Sequence, residues 1–84
     1  MSNDKYFGKF RATVTHNLDP ESRGRLMVMI PDFPDNMVWA EACVPFLKPP
    51  AEYDIPPVGM SVWVEFEQGD PDYPIWVGCR ITKT

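Results

Sequence analysis

Apolar and polar residues alternate over five short stretches of the chain. Each alternation predicts a half-buried strand, because successive side chains on a strand point to opposite faces. From Phe10 to His16, Phe10, Ala12 and Val14 fall on one face and Arg11, Thr13 and Thr15 on the other. From Arg25 to Ile30, Leu26, Val28 and Ile30 share a face, and Pro31 stops the run. From Met37 to Val44, Val38, Ala40, Ala42 and Val44 lie on one side, with Trp39, Glu41 and Cys43 opposite. Between Met60 and Glu67, Met60, Val62, Val64 and Phe66 alternate with Ser61, Trp63, Glu65 and Glu67. In the last run, Ile75 to Thr82, the same rule turns Ile75, Val77, Cys79 and Ile81 inward and Trp76 outward.

The segments between these runs are rich in turn formers. Asn17 to Gly24 holds Asp19, Pro20 and Gly24, and Gly69 to Pro74 holds Asp70, Pro71 and Asp72. Phe46 to Pro57 carries Pro49, Pro50, Pro56 and Pro57, which deny it a helix and predict an extended loop. Five short strands and no helix in 84 residues predict one all-β domain spanning 1–84, with residues 1–6 as a flexible tail. A closed or nearly closed barrel is favoured because closure hides strand edges. On pattern alone an SH3-like barrel competes.

Composition narrows the function classes. Lys and Arg total 8 against 12 Asp and Glu, a net charge of −4. That works against a phosphate-binding groove, which needs cations along the backbone it reads. No apolar run approaches the ~20 residues of a membrane span, and the first ten residues lack the apolar stretch of a signal peptide. The chain is therefore expected in the cytosol unless a larger assembly carries it out, without stable membrane association. Cys43 and Cys79 are expected to be free thiols on opposite strand faces, with no zinc-ligand spacing.

No residue pattern calls for catalysis. His16 is the only histidine and has no nucleophile at useful spacing. Asp32, Asp35, Asp70 and Asp72 sit in turns, where carboxylates ordinarily bind local N–H groups. Calcium at Asp70 and Asp72 would need several more oxygen ligands. Arg11, Arg23, Arg25 and Arg80 read as scattered surface cations rather than a patch. The aromatic residues are more informative. Trp39, Trp63 and Trp76 all fall on outward faces and Tyr73 lies in a turn. They are the candidate contact residues of a protein interface, where tryptophan and tyrosine concentrate binding energy. The structural alternative is that the barrel twists and loops such as Phe46 to Pro57 fold over these faces and bury the rings; base stacking is a third use of such side chains.

Several of these segments, in this order, resemble the OB domain of contractile-tail spike proteins. Asn17 to Arg25 resembles its "DP…GR" turn, and Trp39-Ala40 its "WA" in the middle strand. From Pro57 to Gly78 the chain follows its most specific stretch: Pro57 and Gly59, then VWVEFE (62–67), GDP (69–71) and YPIWVG (73–78). The likeness runs from about Phe7 to Ile81. It implies a small five-stranded antiparallel OB-type barrel and a structural role in a phage or phage-like baseplate. The expected partners are a tail-tube hub protein and a β-helical spike, with the module itself a homotrimer. The family usually continues into a β-helical needle, sometimes with a lysozyme domain between. This sequence ends at Thr84, so the spike is expected on a separate chain. The resemblance carries over no catalytic residue, no cofactor, no metal and no nucleic acid. The alternative from another class is a single-stranded nucleic-acid-binding OB protein.

Overall fold

The computed structural model describes residues 5–33, 37–43 and 55–81. Within them the chain forms β1 (Phe10–His16), β2 (Leu26–Met29), β3 (Met37–Ala42), β4 (Ser61–Phe66) and β5 (Pro74–Cys79). The strands close into a barrel in the order β1-β2-β3-β5-β4. Four of the predicted strands appear within one or two residues of their expected limits, and the fifth begins one residue earlier and ends at Cys79. Val44, the expected end of β3, and most of the proline-rich loop lie outside the described residues.

The barrel is mixed, which corrects the expectation of a purely antiparallel one. The β1–β2, β1–β4, β2–β3 and β4–β5 contacts are antiparallel, and β3–β5 is parallel. The reason is parity: in a closed ring of five strands, directions cannot alternate all the way round. The parallel contact is short, pairing Glu41 with Ile75 and Ala42 with Trp76.

The interior holds Ala12, Val14, Leu26, Val28, Ile30, Ala40, Val62, Val64, Phe66 and Trp76. All but Trp76 belong to inward sets read from period two. Met60, expected inward, precedes β4 and is exposed.

In β5 the reading fails. Trp76 is only 7% exposed, whereas Ile75 and Val77 are half-buried and Cys79 and Ile81 exposed. A β-bulge accounts for this. Trp63 pairs with Gly78 but Val64 pairs with Trp76, so Val77 is an extra residue on β5. Residues before it are shifted by one position relative to those after it, and the large indole enters the core. Its Nε1 donates a hydrogen bond to the Gly24 carbonyl, 2.9 Å away and 52 positions distant in sequence. This one side chain links β5 to the loop before β2.

One end of the barrel is closed by aromatic rings. Tyr6, Phe10, Phe33 and Phe66 meet at centroid separations of 4.8–6.3 Å, most of them edge to face. Tyr6, expected in a flexible tail, packs against the core and its N–H bonds the Gly69 carbonyl at 2.8 Å. Gly69 has φ +77, and a Cβ there would lie 2.8 Å from the Phe7 ring. Glycine thus serves both the turn and the close approach of the N-terminal segment.

Candidate interaction surfaces

The loop from Asn17 to Arg25 is organised by one carboxylate. Asp19 accepts hydrogen bonds from the backbone N–H groups of Glu21, Arg23 and Arg25 at 2.8–3.2 Å. The Arg25 guanidinium grips the same carboxylate with two nitrogens, at 3.0 and 2.8 Å. The Asp19 side chain is 4% exposed and that of Arg25 16%. The Arg25 guanidinium, and secondarily the three N–H donors, hold the Asp19 carboxyl well below the ordinary carboxylate range against the opposing effect of burial. The same pairing raises Arg25 further. The "DP…GR" sequence is thus a self-contained clamp, with Gly24 in the left-handed region at φ 75.

Arg25 also lies over the Trp39 ring, its guanidinium carbon 5.0 Å from the centroid. Trp39 faces outward, as the alternation predicted, but is half-buried. It pairs across β2–β3 with Met27, and Met37 pairs with Met29. Met27, Met29, Met37 and Trp39 therefore form an uncharged strip on the outside of these two strands, bordered by Arg25 and Glu41. Met29 is 38% and Met37 56% exposed. Beside it, Leu18 and Val58 border a hollow that also includes Met27 and Trp39.

Trp63 is likewise outward and half-buried. Arg80 lies over its ring at 5.8 Å, and Arg11 pairs with it across β1–β4. Two of the arginines expected to be scattered therefore converge on one tryptophan. Arg23 pairs instead with Glu21 at 3.1 Å. Tyr73 is 56% exposed in the β4–β5 connection.

The four candidate contact residues therefore do not form one patch. Trp39 sits on the β2–β3 face, Trp63 on the β1–β4 face and Tyr73 at the aromatic-closed end. Trp76, expected outward, is inside the barrel and holds it together. Sequence reasoning missed Met29 and Met37 as exposed apolar residues; the predicted strand phase contained that signal, since both fall opposite Val28 and Val38.

His16 is exposed, its ring beside the Thr15 hydroxyl at 3.3 Å. Cys43 and Cys79 are both exposed and free. Among the described residues no group of three His, Cys, Asp or Glu is arranged to hold a metal.

The family model of the type VI secretion system/phage-baseplate injector OB domain matches residues 10–80, the whole of the barrel. No curated protein matches the chain significantly.

Proposed function

The chain belongs to the type VI secretion system/phage-baseplate injector OB-domain family, and on that premise we propose that it joins the tail-tube hub to the membrane-piercing spike as a homotrimeric adaptor. Family membership supports a structural role in a baseplate and assembly into a phage or secretion-system particle. The observation that carries the finer reading is the match across the entire closed barrel. A junction that transmits a piercing force needs a rigid body, and a barrel bonded all the way round is one. Its outer faces offer apolar and aromatic contacts to neighbours, and a trimer on the tail axis matches cyclic symmetry. The work is mechanical, with no catalytic step.

The test is purification of intact particles from producing cells, imaging of the baseplate and counting of copies. Three copies on the tail axis between tube and spike are expected. Absence from the particle, or a place in the sheath or tube wall, overturns the reading.

One observation favours a second reading, single-stranded nucleic-acid binding: Arg11 and Arg80 gather at Trp63, an arrangement of cations and an aromatic ring that suits base stacking. Against it stand the net charge of −4 and the engagement of Arg25 by Asp19 on the β2–β3 face. Titration with a thymidine oligonucleotide at physiological salt separates the two. Tight, salt-dependent binding lost in Trp63→Ala favours nucleic acid, and weak binding insensitive to that change favours the adaptor.

A further inference from the structure

The aromatic-closed end of the barrel contains a cavity of about 370 Å³. Tyr6, Phe33, Phe66, Ile30 and Pro71 line it, with Asp72 among the lining residues. That volume lies at the lower end of the range for ligand pockets, enough for one long side chain or a small molecule.

Its walls are fixed. Tyr6 and Phe33 meet edge to face at 4.8 Å and 84°, and Phe33 and Phe66 at 5.8 Å and 83°. Backbone bonds from Tyr6 to Gly69 and from Phe33 to Ile30, both 2.8 Å, pin the two aromatic segments. The Asp72 side is equally braced. The N–H of Asp70 bonds the Glu67 carbonyl, that of Tyr73 bonds the Asp70 carbonyl, and that of Asp72 bonds the Asp70 carboxylate at 3.0 Å. One oxygen of the Asp70 carboxylate is thus engaged by its own turn. No cation among the described residues lies within ion-pair distance of Asp72.

The loops at this end also carry Asp32, Glu67 and Asp70. The described cations nearest in the chain are Lys5 and Lys9, and the Lys9 ammonium is 4.0 Å from Glu65. An apolar hollow in acidic surroundings is complementary to a side chain with a hydrocarbon stem and a positive head. Such a stem would pack on the rings while the head meets Asp72.

We propose that this cavity is a socket for an arginine or lysine side chain presented by a partner protein of the baseplate. The inference rests on the adaptor reading and deepens it, by naming the end of the barrel that docks and the chemistry it accepts.

The test uses the full chain and defined probes. N-acetyl-arginine methylamide and N-acetyl-lysine methylamide are titrated against ¹⁵N-labelled protein, with N-acetyl-norleucine methylamide as the uncharged control. Amide shifts centred on Tyr6, Phe33, Phe66 and Asp72 are expected with the cationic probes. Asp72→Asn should weaken that binding about two- to fivefold, the effect of one contact at a solvent-exposed rim, and leave the melting temperature unchanged. Equal shifts from the norleucine probe, shifts scattered over the other acidic residues, or no loss in Asp72→Asn would overturn the socket. Asp72→Asn should also lower incorporation into particles relative to the wild type. If the wild type itself never enters particles, the adaptor reading fails and the probe titration alone decides the socket.

Discussion

Replacing Trp76 by phenylalanine removes the link between β5 and the loop before β2 while leaving a ring in the core. The indole is 7% exposed, and its only polar atom bonds the Gly24 carbonyl at 2.9 Å. Losing that hydrogen bond costs about 1 kcal/mol. The two further ring carbons, at about 0.8 kcal/mol each, add about 1.6 kcal/mol. The sum, about 2.5 kcal/mol, corresponds to a fall in melting temperature of roughly 10–20 °C for a domain of this size. Thermal unfolding should be followed by far-UV circular dichroism, since the substitution alters tryptophan fluorescence, and at one protein concentration, since assembly shifts apparent stability. Trp63→Phe is the control: Trp63 is half-buried and its contact with Arg80 survives in part on a phenyl ring, so its cost should stay under about 1 kcal/mol. A fall below about 4 °C for Trp76→Phe, or equal falls for the two variants, would refute the assignment of Trp76 to the core and Trp63 to the surface.

Two further outcomes follow from the loops and the thiols. The Asp19 carboxyl titrates below its ordinary 3.8 in the folded chain, so its contribution is complete above that value and is lost as pH falls below it; Asp19→Asn should melt earlier than wild type at pH 6, and the gap should narrow steadily below pH 3.8, whereas a gap independent of pH would mean the ion pair is not what the clamp contributes. Cys43 and Cys79 are exposed and unpaired, so Ellman titration of the native, unreduced protein should find two reactive thiols; finding none would contradict the structure.

Most of the strand framework was legible because the barrel is thin-walled. Each strand has one dry and one wet face, and period two reports that directly for Ala12 and Val14, Leu26 and Val28, and Val62 and Val64. What sequence could not convey was a change of phase within a strand. The bulge at Val77 is a relation between β4 and β5, and no feature of residues 75–82 alone shows that one of them has no partner. A single missed residue therefore turned Trp76 outward in the reading and moved it into the candidate interface. The aromatic closure was hidden for a similar reason. Tyr6 and Phe33 lie outside the strands, so alternation says nothing about them; only the closed barrel brings them to Phe10 and Phe66. The Asp19 clamp was visible as a motif but not as a mechanism. Its residues lie within seven positions, whereas its consequence, Arg25 placed over Trp39, depends on β2 lying beside β3.

The arginines over Trp39 and Trp63 change what those rings can contribute to an interface. Three bare indoles on a domain of 84 residues would by themselves argue for association, but here one is inside and two are already covered in part by guanidinium groups. Among the described residues uncovered apolar surface is found instead at Met29 and Met37 on the β2–β3 face with Leu18 and Val58 beside it, at Phe7 and Tyr73 near the closed end, and at Met60 and Ile81. The Met strip carries no charge of its own and is conformationally adaptable, which suits packing against a symmetric neighbour. The closed end is acidic and rigid, which suits a basic anchor from a different protein. The proposed adaptor role would need two such unlike surfaces, because contacts to its own copies and to its partners must not be interchangeable. Arg25 reinforces that separation: held by Asp19, it caps Trp39 at the border of the Met face and is not free to pair with the acidic end of a second copy.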